Sequence, residues 1–186
     1  MSRFSIFVNN MKLMEFPELR QSRNYDCGAS ALQACLFYYG QEVREDDLIK
    51  ELHVDPNIGA EPAEIIRVAI KYGITPIEVD NMTIDDLKIY VDRGVPVMMM
   101  VQAWPDEPVD WENEWDWAHW VVAIGYDDKN IYFEDPASFK RTVLSYGELE
   151  KRWHAYLDQE NKSYHYGIVM VGDEIGYKHT NVEHMD

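Results

Sequence analysis

Residues 119–134 read HWVVAIGYDDKNIYFE, two runs rich in β-branched and aromatic side chains around the polar stretch 127–129. That pattern predicts an antiparallel hairpin. Pairing Tyr126 with Asn130 across the turn sets Val121 opposite Asp135 and brings His119 and Asp135 to the same end of adjacent strands. Side chains alternate along a strand, so His119, Val121, Ala123 and Gly125 share one face. The small residues on that face leave room for a helix.

Downstream, Ser145 and Glu148 have capping-box spacing ahead of a helix over 146–154, and a strand is predicted over 164–171. Upstream, 95–101 is a near-continuous apolar run, the signature of a strand covered on both faces. The first half is helical in pattern. Over 26–39, Leu32, Cys35, Leu36 and Tyr39 fall on one face, and Gly40 suits a left-handed terminator. Further helices are predicted over 45–52, 62–72 with Pro62 at the first position, and 83–93 with Thr83 as cap; 74–79 is extended. Helices first and antiparallel strands second predict an α+β domain, a helical N-terminal half packed on an antiparallel β-sheet. The domain is expected over 1–172, with 173–186 as a polar, flexible tail.

The chain has 186 residues, 46% of them hydrophobic and 27% charged, which suits one globular domain. Its 17 Lys and Arg against 34 Asp and Glu give a net charge of -17. Such a surface repels phosphate backbones and anionic membranes, so nucleic acid is excluded as a partner, whereas cationic ligands are attracted. The two cysteines, Cys27 and Cys35, share one predicted helix, an awkward geometry for a disulfide, and a reducing compartment fits. No run approaches the roughly 20 apolar residues that span a bilayer. The 4–8 run is too short and mixed for a secretory signal, and a cytoplasmic protein is expected. There is no C-x-x-C, no H-E-x-x-H and no glycine-rich phosphate loop, and His53, His154, His165, His179 and His184 show no ligand spacing. No metal and no cofactor are expected. Oligomeric state is not fixed by the sequence.

Cys27 falls in the first turn of its helix, where the helix dipole and a neighbouring imidazolium would favour the thiolate. Gly28 and Ala29 leave its sulfur approachable. The hairpin supplies an imidazole and a carboxylate in His119 and Asp135. Each has a plainer alternative when taken alone: inert packing for a cysteine, as for Cys35; a core histidine bonded to a carbonyl; and a turn cap for Asp135-Pro136.

The run Gln21-Ser22-Arg23-Asn24-Tyr25-Asp26-Cys27-Gly28-Ala29 resembles the active-site segment of the bacteriocin-processing, double-glycine leader peptidases of the papain-like superfamily. His119-Trp120-Val121-Val122 and Glu134-Asp135-Pro136-Ala137 resemble it too, in the same order. The likeness runs from about 21 to 171 and includes Gly94-Val95-Pro96-Val97 at a strand start. It implies a papain-like cysteine peptidase fold with Cys27 as nucleophile, His119 as base, Asp135 as the group orienting that base and Gln21 as the oxyanion-hole residue. It also implies a peptide or small amide substrate. The membrane exporter and ATPase often fused to that family's domain have no counterpart in these residues, so a stand-alone domain is expected.

The sequence departs from the family pattern at 104–118, WPDEPVDWENEWDWA. Trp104, Trp111, Trp115 and Trp117 are candidate substrate-binding residues of a lid that selects a basic or aromatic substrate by charge and cation–π contact. A solvated loop with locally packed tryptophans is the alternative, and calcium is disfavoured because the carboxylate order does not match an EF-hand. Hydrolysis of peptide or amide bonds is the expected activity. The same thiol site would serve acyl transfer to an amine or thiol, and a peptide-binding module without turnover is the reading from another class.

Overall fold

The computed structural model describes residues 11–158, 160–180, 182, 184 and 185; the apolar run 4–8 lies outside them. In chain order come β1 (Lys12–Leu13), α1 (Cys27–Tyr38), α2 (Glu45–Glu51), α3 (Pro62–Lys71), β2 (Thr75–Val79) and α4 (Ile84–Asp92). The second half holds β3 (Val97–Gln102), β4 (Ala118–Tyr126), β5 (Asn130–Glu134), β6 (Thr142–Ser145), α5 (Tyr146–Arg152), β7 (His154–Tyr156), β8 (Lys162–Tyr164) and β9 (Gly167–Val171). Thr83 and Ser145 cap α4 and α5, each in a reciprocal box with the residue three positions on. The strand expected over 164–171 is broken in two, because His165 takes a left-handed φ of 53°.

Seven strands form one sheet in the order β2-β9-β3-β4-β5-β6, with β1 also paired to β4; β7 and β8 form a separate ribbon. The pairings of the large sheet are antiparallel. Central β3 is buried along its whole length, which explains its unbroken apolar run. At the hairpin Tyr126 pairs with Ile131, one residue out from the simple expectation. A bulge between Ala123 and Gly125 then returns the register, so that Val122 faces Glu134.

Each face of the sheet carries its own core. Met98, Met100, Trp120, Val122 and Ile124 pack with α1, whereas Val97, Met99, Val101, Val121 and Ala123 pack with Leu87, Leu149 and Trp153. Helix α1 therefore lies on the opposite face of β4 from the one expected. The small residue at the contact comes from the helix rather than the strand: a Cβ on Gly28 would sit 2.8 Å from Ala60 Cβ and 3.0 Å from Trp120 Cδ1.

The expected flexible tail is anchored over its first part. Gly176 and Tyr177 donate their N–H groups to Tyr38 O at 3.0 and 3.1 Å, and the Tyr177 ring meets Phe37 edge-on. These bonds satisfy a carbonyl that a helix C-terminus leaves free. They use backbone, so the polar side chains of the tail gave no sign of them.

Candidate active site

Cys27 opens α1, and the loop ahead of it is folded by Asp26, which is fully buried. The Asp26 carboxylate accepts from Arg23 N at 3.1 Å and Ser22 Oγ at 3.0 Å. Upstream, buried Glu134 accepts from Leu19 N at 2.9 Å and from the Arg20 guanidinium at 2.5 Å. Burial raises the Glu134 pKa above the usual carboxylate range, with Arg20 opposing that shift. Gln21 N donates to Pro136 O at 3.0 Å. The segment 19–21 is thus stitched to the end of β5, beside Asp135. Arg20 and Glu134 escaped the sequence reading, since an ion pair between such distant positions has no local signature.

His119 and Asp135 meet as the hairpin implies, with His119 Nε2 2.8 Å from Asp135 Oδ1 and both side chains buried. With Nε2 committed, Nδ1 is the ring nitrogen left to face Cys27, and thiol and imidazole each shift the other toward its charged form. Asp135 is held on every side: Oδ1 also accepts from Ala137 N at 3.0 Å, and Oδ2 from Trp104 Nε1 and Thr142 Oγ1, both at 3.2 Å.

Burial disfavours charge on all three groups, but their mutual contacts outweigh it. The Cys27 thiol is pulled below its ordinary value, despite burial, by its bond to His119, that ring's charge and the N–H groups of Trp120 and Gly28. His119 would be lowered by burial, yet its bonds to Asp135 and Cys27 raise it to about 10. Asp135 stays below the usual carboxylate range because His119 overcomes desolvation. Both shifts move the pair toward its charged forms, thiolate and imidazolium. Cys35, on the same helix, is wholly buried and shifted strongly upward by desolvation.

Gln21 is tied by its backbone to Pro136, next to Asp135, and is not among the residues lining the Cys27 cleft. Its Nε2 donates to Arg23 O at 2.6 Å, and its Oε1 is buried without a partner among the described residues. A primary amide has two N–H donors, so one stays uncommitted. Cys27 lines a cleft of about 440 Å³ with Tyr25, Gly59, Ala60 and Trp120. Glu61, Asp116 and Asp158 also line it, and no Lys or Arg does so among the described residues.

None of the four tryptophans lines that cleft. Trp104 is bonded to Asp135; the Trp111 ring is covered by Arg152 at 3.7 Å; Trp117 N donates to Gln102 Oε1 at 2.9 Å. Trp115 is boxed by His154, Tyr156 and Tyr164, with Lys162 Nζ 4.0 Å above its ring. The faces of Trp111 and Trp115 are thus taken by the chain's own Arg152 and Lys162, whereas Trp104 and Trp117 carry no such cation and are exposed. The insertion reaches the cleft instead through Asp116, just ahead of the Ala118 that begins β4.

Among the described residues no group of three or more His, Cys, Asp or Glu is placed to hold a metal, and no helix is long and apolar enough to cross a membrane. Residues 13–161 match the Peptidase_C39 like family. No curated protein matches the sequence significantly. Among solved structures, a C39-like peptidase of Bacillus anthracis aligns with a TM-score of 0.68 at 20% identity, covering 89% of this chain and 99% of its own. The peptidase domain of Streptococcus ComA, a bi-functional ABC transporter involved in quorum sensing, aligns at 0.64 and 18%, covering 86% and 98%. A double glycine motif protease from an AMS/PCAT transporter, in complex with its leader peptide, aligns at 0.62 and 17%, covering 85% and 92%. At such identities the likeness lies in the fold, here the whole α+β architecture.

Proposed function

The chain belongs to the Peptidase_C39 like family, and from that premise we propose that it is a cysteine peptidase that cleaves peptide or amide bonds through Cys27, His119 and Asp135. The observation that carries this reading is the buried His119–Asp135 pair, 2.8 Å apart, whose imidazole interacts electrostatically with the Cys27 thiol in the wall of a cleft. The Cys27 thiolate adds to the carbonyl carbon, forming a C–S bond and an oxyanion. Imidazolium His119 then gives its proton to the amine as the C–N bond breaks. Water, deprotonated by His119, hydrolyses the thioester and frees the thiol. Asp135 keeps the proton on Nε2 and so presents Nδ1 to the sulfur throughout.

Two donors suit the oxyanion. Cys27 N–H, at the first position of α1, has no intrahelical partner, and Gln21 offers its second amide N–H. Gln21→Ala should lower kcat by about 10² to 10³, with the thermal midpoint nearly unchanged because the Gln21 N–H to Pro136 O bond is a backbone one. A variant that turns over at full rate removes Gln21 from the mechanism.

The substrate we assign is a peptide, the class of ligand bound by the AMS/PCAT protease, and the acids of the cleft favour a basic residue near the scissile bond. Glu61, Asp116 and Asp158 supply the complementary charge. A peptide library incubated with the wild type and with Cys27→Ala should yield new termini only with the wild type, enriched in Lys or Arg nearby. Asp116→Lys should lower kcat/KM for those peptides roughly tenfold while sparing neutral ones. Absence of cleavage across the library, or equal cleavage by both proteins, would refute the peptidase reading. Both cysteines are free, which suits work in a reducing cytoplasm.

A further inference from the structure

The sheet face turned away from α1 holds a second cavity, of about 240 Å³, that the proposed reaction leaves unused. Val101, Val121, Phe133 and Leu144 make much of its lining apolar. Asp135, Glu148 and Arg152 also line it, and their states differ. Asp135 has four donors, as described above. Glu148 accepts from Ser145 N at 2.9 Å and Ser145 Oγ at 2.7 Å. Both acids are satisfied.

Arg152 is not. Its guanidinium is held against the Trp111 ring, its Nε is buried without a partner, and it forms no ion pair with an acid among the described residues. Arg20, Arg23, Arg67 and Arg141, by contrast, are each paired with a carboxylate. Burial lowers the Arg152 pKa, and the charge of nearby Glu148 offsets that only in part. A fixed, half-buried guanidinium beside an apolar chamber is complementary to one ligand chemistry. We propose that this cavity binds a small organic carboxylate, an aromatic or branched acid of roughly ten non-hydrogen atoms, with its carboxylate on Arg152 and its apolar body against Val101, Val121 and Phe133. Inorganic anions leave the apolar walls unfilled, and cations meet acids that already have donors. The site also touches catalysis, since Trp104 and Thr142, the donors to Asp135 Oδ2, are part of its lining.

Phenylacetate is a probe of the right size, and phenylacetamide is its neutral counterpart. Titrated into the full chain and followed by NMR, phenylacetate should bind saturably. Affinity should be the same after Cys27 is blocked with iodoacetamide, and weaker by about tenfold or more for Arg152→Gln. Phenylacetamide should lose a similar factor in the unmodified protein, a comparison that needs no variant to fold. No saturable binding, equal affinity for the amide, or undiminished binding by folded Arg152→Gln would overturn the proposal. Loss of binding on alkylation would do the same by moving the ligand to the Cys27 cleft. None of these readouts depends on peptide turnover, so they stand or fall apart from the peptidase reading.

Discussion

Iodoacetamide should alkylate Cys27 and leave Cys35 unmodified in the folded protein, with a rate ratio of about 10² or more. Two effects act in the same direction. Cys27 lines the cleft and its thiol is pulled below the ordinary value by His119, which favours the reactive thiolate. Cys35 has no exposed surface, and burial, with the charge of Glu134 behind it, drives its pKa strongly upward. The selective reaction should persist on the acid side of neutrality, where an ordinary free thiol has become almost wholly protonated and slow. Peptide mapping by mass spectrometry separates the two sites. Cys27→Ala should abolish both the labelling and the turnover, and Cys35→Ala should affect neither. If the two thiols label equally and slowly, Cys27 is a packing residue and the nucleophile is gone.

The parts of the molecule legible in the sequence are those governed by local periodicity. The helical spacing of Leu32, Cys35 and Leu36, the unbroken apolar run of β3 and the capping pair Ser145 and Glu148 each report on a few neighbouring residues. The juxtaposition of His119 and Asp135 follows from hairpin arithmetic, and it survives because the bulge near Ile124 cancels the shift at the turn. The side of β4 that receives α1 was not legible, since it depends on Gly28 meeting Trp120 across 92 positions of chain. The partners of Trp111 and Trp115 were hidden for the same reason. An acidic, Trp-rich loop looks like a cation trap, but Arg152 and Lys162, remote in sequence, already cover Trp111 and Trp115. Pairings of that kind carry no period, and only the folded chain reveals them.

Asp135→Asn should reduce turnover by roughly 10² to 10⁴ and move the alkaline limb of the pH profile to lower pH. An amide is nearly isosteric with the carboxylate, yet neither of its orientations fits. With its oxygen toward His119 Nε2 and Ala137 N, its NH₂ faces Trp104 Nε1 and Thr142 Oγ1, where Trp104 can only donate. With the amide reversed, the NH₂ opposes Ala137 N–H and the ring proton on Nε2, which then has to shift to Nδ1 and obstruct the thiol. The Asp135 part of what holds His119 at about 10 is lost either way, leaving only Cys27 to raise it, so the imidazolium gives up its proton earlier as pH rises. Stability should follow with a definite sign. A histidine raised from 6.5 to about 10 contributes fully below 6.5 and loses that contribution as pH passes through about 10, and Asp135, depressed below 3.8, contributes above that value until acid protonates it. The gap in urea midpoint between wild type and Asp135→Asn should therefore be widest between mildly acidic and neutral pH and should narrow above about 10. An alkaline limb that stays in place, with full turnover retained, would mean that Asp135 caps the turn before Pro136 and does nothing for His119.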